Sequence, residues 1–285
     1  MINNITQGLG IHIAGNSYST PYIDMSANID FPLIYCNGDS YSADTYHQTL
    51  QGKSYANVVA EHCNGFVINS AISGSCNRRI IRSTLHDLML HRQQNPLQKI
   101  IALISLSFEL RSELWADDLT ISNPVESNFV THVFSSQLDW KEKLLGGKDI
   151  FMPNKHKFDK SFYEKFSQGR AFFFSPYAER INLLADLIML KSTMQSLDID
   201  FLIFQGPVAE QLESDYLLDF FKQQISADSR IFDLETFGLC AWAHQQGFKP
   251  LDYLHRPTIG HYGADAHRAF ANQVLVPKLK ELSIL

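Results

Sequence analysis

At 285 residues the chain can bury a sizeable core, and its length fits one large domain with an insertion. A hydrophobic fraction of 45% and a charged fraction of 19% are typical of folded globular proteins and exclude a disordered chain. The formal net charge of -6 provides no basic field for gathering phosphates, which argues against nucleic acid as a partner.

The sequence shows neither a secretory leader nor a membrane span. The first residues, MINNITQGLGIHIAG, lack a basic start and an apolar core, and no later apolar run approaches ~18 residues. The four cysteines have no C-x-x-C spacing and lie in or beside apolar segments, which is typical of buried free thiols. These features predict a cytoplasmic protein without a membrane span.

Short apolar runs rich in Ile, Val, Leu and Phe alternate with amphipathic stretches along the chain. This alternation is typical of a parallel β-sheet that helices cover on both faces. The predicted strands lie at 32–38, 66–71, 99–106, 200–206 and 230–235. The sequence therefore predicts one α/β domain over residues 1–285, a three-layer α/β/α sandwich with a five-stranded, parallel, flavodoxin-like sheet.

Two segments fall outside this alternation. Residues 1–30 have weak periodicity and are predicted to form an N-terminal arm. Residues 112–175, between the third and fourth predicted strands, are rich in aromatic side chains, which argues against disorder. We interpret this insertion as a lid over a site, and a set of extra packing helices without a substrate role is the alternative.

The motif Gly38-Asp39-Ser40 directly follows the first predicted strand. In an open parallel sheet, ligands bind at the carboxyl ends of the strands, where turns and helix N-termini converge. A serine just beyond such a strand has an exposed hydroxyl close to backbone N–H donors. Taken alone, the motif is more often a simple turn with a helix N-cap. Ser40 is therefore a candidate nucleophile that needs a base from elsewhere in the chain.

A turn of small residues, Ser73-Gly74-Ser75, follows the second predicted strand. A glycine at this position can direct its N–H toward the space above Ser40, as an oxyanion donor requires. The alternative is an ordinary turn in which Ser75 or Asn77 caps the next helix, and both can hold together.

Two histidines lie near the C-terminus, in the run from Gly260-His261 to His267. A histidine in the loop before the final helix can reach across the edge of the sheet to a serine that follows the first strand. This position, together with the paired spacing, makes His261 a candidate general base.

Together these motifs resemble the SGNH hydrolase superfamily, also called GDSL-like esterases and lipases. The resemblance covers about residues 32–111 and 200–285 and carries the same three-layer fold. It implies that Ser40 is the nucleophile, that His261 is the general base and that the amides of Ser40 and Gly74 are oxyanion donors. It also implies a structural role for His267.

Two positions depart from the family pattern. Ser107 stands where the family has an oxyanion-binding Asn, and Asn77 at the next helix start is a possible substitute. Thr258 stands where the family has the Asp that orients the imidazole. We expect Asp252 to supply that carboxylate, and a Ser-His dyad without a carboxylate or a contribution from Glu109 are the alternatives.

A second alignment of the motif is also open. Asp252-Tyr253-Leu254-His255 has the family's Asp-x-x-His spacing intact, which would make His255 the base. We prefer His261 because His267 then opens the terminal helix, as the later family histidine does.

No metal or cofactor is expected. Although the chain has 11 histidines, it has no H-E-x-x-H motif, and no glycine-rich phosphate-binding loop follows a predicted strand.

The predicted activity is therefore that of a serine esterase that works through an acyl-enzyme. The expected substrate is a small-molecule ester, a small acyl group on a carbohydrate or similar polar carrier, which rests on the family resemblance. Two alternatives stay open: an O-acyltransferase that uses the same acyl-enzyme, and a catalytically weakened SGNH-like module that binds a glycan or a protein. Ser107 and Thr258 motivate the binding module.

Overall fold

The computed structural model describes residues 31–43, 53–72, 75–108, 111–115, 129–133, 175–207, 215–252, 257 and 260–285. The described residues form the strands β1 (Leu33–Asn37), β2 (Phe66–Asn69), β3 (Ile100–Leu106), β4 (Arg111–Trp115), β5 (Phe129–Val133) and β6 (Asp200–Gln205). Before the C-terminal segment they also form the helices α1 (Tyr55–Cys63), α2 (Asn77–Gln94), α3 (Pro176–Ser196), α4 (Tyr216–Ser226) and α5 (Leu239–Gln245). The N-terminal arm predicted at 1–30 lies outside the described residues.

The main sheet is parallel, with the strand order β2-β1-β3-β6. Strands β1 and β3 are buried along their whole length, which explains why they read as continuous apolar runs rather than alternating ones. This confirms the predicted α/β sheet and four of its strands.

The fifth predicted strand, at 230–235, is wrong. Ile231 makes only an isolated parallel bridge to Ile203 of β6. Two residues later the carboxylate of Asp233 accepts hydrogen bonds from the backbone N–H groups of Glu235 and Thr236, at 2.9 and 3.3 Å. This side-chain-stabilised turn ends the ladder before a strand can form, as Asp does where it competes with sheet pairing.

The C-terminal segment is helical but irregular. It runs as α6 (Ala264–Phe270), a π-helical turn (Ala271–Leu275) and α7 (Val276–Glu281). Pro277 lies in the first turn of α7, where its missing N–H and its ring disturb the regular hydrogen bond to the preceding turn. The segment from Ala264 to Glu281 is therefore not a single regular α-helix.

Helices cover both faces of the sheet and bury two apolar clusters. One cluster joins alternate strand residues such as Ile34 and Leu103 with side chains of α1, α5, α6 and α7. The other joins Leu33 and Ile104 with side chains of α2, α3 and α4. The carboxyl ends of β1, β3 and β6 therefore meet at one edge between two helical layers, where the candidate residues lie.

The insertion predicted at 112–175 is described only in part. β4 and β5 pair antiparallel, from Arg111 opposite Val133 to Trp115 opposite Phe129. The remainder lies outside the described residues, so its function as a lid stays a prediction. Among the helices that the structure describes, none combines the length and the hydropathy that a membrane crossing requires.

Candidate active site

Ser40 lies in a tight turn at the carboxyl end of β1. Asp39 O accepts hydrogen bonds from the backbone N–H groups of Ser42 and Ala43, both at 3.0 Å, which closes the turn around Ser40. Gly38 begins it, and a Cβ at that position would lie 2.5 Å from Ser42 Oγ. Only glycine fits there, so the glycine of the motif is explained by close packing.

His261 approaches this turn from the loop before α6. Its Nε2 lies 2.7 Å from Ser40 Oγ, across 221 residues of sequence. Both side chains are buried, with Ser40 3% and His261 6% exposed. The preceding Gly260 packs so closely that a Cβ there would lie 2.6 Å from Pro250 Cβ. The structure therefore brings together the predicted nucleophile and the predicted base.

Asp252 holds the other side of the same imidazole. Its Oδ2 lies 2.7 Å from His261 Nδ1, and its Oδ1 accepts the backbone N–H of His261 at 2.8 Å. A carboxylate can only accept at Nδ1, so Nδ1 carries the hydrogen and Nε2 is left to accept a proton from Ser40. Asp252, the residue expected in this role, contacts His261, and the alternative Glu109 lies outside the described residues.

Two further residues bear on this assignment: the alternative base and the residue at the family's Asp position. His255 and Thr258 both lie outside the described residues. The distance from Ser40 to His261 nevertheless meets the geometric requirement for proton transfer, which needs heavy atoms about 2.6–3.2 Å apart.

The two side chains predicted as oxyanion donors have other partners. Ser107 Oγ donates to the buried Asp39 carboxylate at 2.6 Å. Asn77 accepts the Ser107 N–H at 2.7 Å and donates to the Ser107 carbonyl at 3.1 Å. A hydroxyl has one hydrogen, and that of Ser107 goes to Asp39 in this arrangement. Both residues therefore tie the β3 loop and α2 to the turn of Ser40. Gly74 lies outside the described residues.

Asn69 also supports the turn of Ser40, although the sequence did not single it out. Its side chain donates to the Ser42 carbonyl at 2.9 Å and accepts the Ala71 N–H at 3.1 Å. Its place as the last residue of β2, next to β1 in the sheet, is the signal that could have identified it.

His267 is buried behind the site rather than at it. Its ring stacks on Tyr55, with ring centroids 5.6 Å apart, and its Nδ1 has no hydrogen-bond partner in the described structure. Burial, followed by the electrostatic effect of His261, lowers the pKa of His267 to about 4. It is therefore neutral at ordinary pH, which fits the structural role that the resemblance implies. Among the described residues, no group of His, Cys, Asp and Glu side chains could hold a metal ion.

No protein-family model and no curated protein matches the sequence. Solved structures similar to this chain include the psychrotrophic esterase EstA from Pseudoalteromonas sp., at 13% identity and a TM-score of 0.43, covering 88% of this chain and 97% of that one. A member of the lipolytic protein G-D-S-L family from Veillonella parvula is 12% identical, with a TM-score of 0.41 over 86% of this chain and 97% of that one. At these values, the function of this chain has to be inferred from its own site.

Proposed function

We propose that this chain is a serine ester hydrolase of the SGNH (GDSL-like) type that works through an acyl-enzyme on Ser40. The observation that carries the proposal is the row of hydrogen-bonded groups from Asp252 through His261 to Ser40, with both imidazole contacts at 2.7 Å. A nucleophile, a base and a group that orients the base are the parts that this chemistry needs.

In the proposed reaction, Ser40 Oγ attacks the ester carbonyl carbon while its proton moves to His261 Nε2. The imidazolium that forms is stabilised by the Asp252 carboxylate at Nδ1. The tetrahedral intermediate then expels the alcohol, which takes the proton from Nε2, and leaves an acyl group on Ser40. A water molecule repeats the sequence, with His261 as its base, and releases the carboxylic acid.

The oxyanion of each intermediate is proposed to be bound by the backbone N–H groups of Ser40 and Gly74. The Ser107 hydroxyl is bonded to Asp39 and the Asn77 amide to the Ser107 backbone, which supports a hole built from backbone donors. The proposed substrate is a small acyl ester of a carbohydrate or similar polar carrier. It rests on the resemblance in the motifs around Ser40 and His261.

The binding-module alternative depended on missing catalytic groups. The contact of Asp252 Oδ2 with His261 Nδ1 supports Asp252 as the source of the carboxylate that Thr258 lacks, which weakens one of the two reasons for the binding module. We therefore favour an active enzyme over a binding module.

Hydrolysis of short-chain p-nitrophenyl esters tests the proposal. Wild type should turn over the acetyl ester, and Ser40→Ala should reduce the rate to the uncatalysed background. Ser70→Ala is the matched control, because Ser70 lies at the same edge of the sheet and donates to Asp87 at 3.0 Å. Equal activity in Ser40→Ala and wild type would refute the proposed nucleophile.

A further inference from the structure

The ring of Tyr41 lies flat against the imidazole of His261. The ring centroids are 4.6 Å apart, and the two planes differ by 13°. Tyr41 is 4% exposed, so little water reaches this contact. Because Tyr41 directly follows Ser40, one turn carries both the proposed nucleophile and the ring that covers its base.

The position of the Tyr41 ring is fixed from other sides as well. A Cβ at Gly206 would lie 3.1 Å from Tyr41 Cβ and Cδ2, so the absence of a side chain there leaves room for the ring. Phe108 meets the ring edge-on, with centroids 6.1 Å apart and planes at 69°. The plane of the imidazole is thus set by a ring that is itself held in place.

An aromatic face attracts a cation more strongly than a neutral ring, because the face carries partial negative charge. In the proposed reaction, the imidazole of His261 begins neutral and becomes a cation as it takes the proton of Ser40. An interaction that strengthens as the charge develops accelerates the step, whereas one of constant strength does not.

We propose that Tyr41 is a positioning residue that stabilises the imidazolium of His261 through the face of its ring. The catalytic part of this inference rests on the proposed function, because only proton transfer from Ser40 makes the charge in turnover. The physical part, a ring that favours the charged imidazole, holds with or without a substrate.

Other titratable groups also face or adjoin His261. The Asp252 carboxylate lies at Nδ1 and favours the cation. His267 opposes it electrostatically, but its own pKa, lowered to about 4 chiefly by burial, keeps it neutral where an imidazole ordinarily titrates. We expect exchange of Tyr41 to alter neither group.

Cys240 and Tyr262 lie near the contact of Tyr41 with His261, and Asp39 is buried beside the turn of Ser40. Burial raises the pKa of the Cys240 thiol well above its ordinary value, with Asp39 and Asp252 adding to the rise. Burial, followed by Cys240, raises the pKa of Tyr262 to about 12. Both are therefore uncharged at ordinary pH. The carboxylate Oδ1 of Asp39 accepts the backbone N–H of Tyr41, and this hydrogen bond does not depend on the side chain at position 41.

The test is a pH titration of His261 followed by NMR on protein with ¹³C-labelled histidine, the resonance being assigned with His261→Ala. Wild type, Tyr41→Phe and Tyr41→Leu are compared. We expect Tyr41→Phe to titrate as wild type does, because it keeps the ring face. Tyr41→Leu should become protonated only at lower pH, because the cation has lost its aromatic partner. Identical titrations in all three would overturn the proposal.

A second series keeps the shape of the ring, since Leu leaves space that repacking can fill. Phenylalanine with one, two and five ring fluorines is incorporated at position 41 in place of Tyr41. Fluorine withdraws electron density from the ring face, so the protonation of His261 should move stepwise to lower pH. A midpoint that does not follow the fluorine number would show that the ring acts by packing alone and would overturn the proposal.

Kinetics separate this inference from the proposed function. With the acetyl ester, Tyr41→Leu should lower kcat about three- to thirtyfold and leave KM unchanged, which is the range of a desolvated cation–π contact. A rise in KM at constant kcat would overturn the catalytic part. If wild type has no esterase activity while the titrations shift as expected, the proposed function fails and the contact with the imidazolium stands.

Discussion

Replacing Asp252 with Asn exchanges a carboxylate with two acceptor oxygens for an amide with one. In the structure both oxygens are used, one by the backbone N–H of His261 at 2.8 Å and the other at Nδ1 at 2.7 Å. If the amide oxygen keeps the backbone contact, its NH2 group faces Nδ1. The hydrogen of the imidazole must then move to Nε2, which can no longer accept the proton of Ser40.

The opposite orientation of the amide does not rescue the site. Its oxygen would then accept from Nδ1, but its NH2 would face the backbone N–H of His261, leaving that donor unsatisfied at a cost of about 1–3 kcal/mol. The loss of negative charge beside the imidazolium adds to either case. We expect kcat/KM to fall by about three to four orders of magnitude, or about 4–5 kcal/mol of transition-state stabilisation.

The assay is kcat/KM for p-nitrophenyl acetate, with circular dichroism to verify that each variant is folded. Asp265→Asn is the matched control, because Asp265 is an exposed carboxylate in the first turn of α6 and should retain wild-type activity. Activity of Asp252→Asn within about threefold of wild type would refute the reasoning, since the orienting carboxylate would then be dispensable.

Three further outcomes are expected. His261→Ala should lower kcat/KM at least about a thousandfold while His255→Ala stays within about threefold, and the reverse result would assign the base to the other alignment. Ser107→Ala should lower the free energy of unfolding in urea by about 1–3 kcal/mol, because the buried Asp39 carboxylate loses an O–H donor, and unchanged stability would contradict that account. The pKa of His267 falls from an ordinary 6.5 to about 4 on folding, so the unfolded chain takes up the proton first. The contribution of neutral His267 to the free energy of unfolding is therefore fully present above about pH 6.5 and falls by about 3 kcal/mol as the pH drops toward 4. Urea unfolding of His267→Phe should lack this part of the pH dependence.

Much of the fold could be predicted because the strands β1, β3 and β6 are buried on both faces and therefore leave unbroken apolar runs in the sequence. The strand predicted at 230–235 could not be judged in this way. Ile231 is a buried core residue, but the carboxylate of Asp233 turns the chain, so that the two bridges to β6, at Ile231 and Gly238, stay isolated and form no continuous ladder. Whether an Asp turns the chain or lies at a strand end depends on neighbours that a local pattern does not contain.

The residues of the candidate site also differ in how far the sequence could predict them. Ser40 and His261 could be proposed from their positions in the sequence. Ser40 follows the carboxyl end of β1, and His261 precedes α6, which begins at the same edge of the sheet. The hydrogen-bond partner of Ser107 could not be predicted, because its hydroxyl donates to Asp39, which lies 68 residues away in the sequence and is brought close only by the fold. The stacking of Tyr41 on His261 depends on the direction in which a tight turn points a side chain, which residue type does not reveal.

Labelling with a fluorophosphonate probe, followed by intact-mass measurement and peptide mapping, tests the central claim most directly. The probe reacts with a serine whose hydroxyl a neighbouring base activates. We predict one adduct per chain at Ser40, lost in Ser40→Ala and formed much more slowly in His261→Ala. A folded wild-type protein that takes up no probe, or takes it up at another serine, would contradict the account.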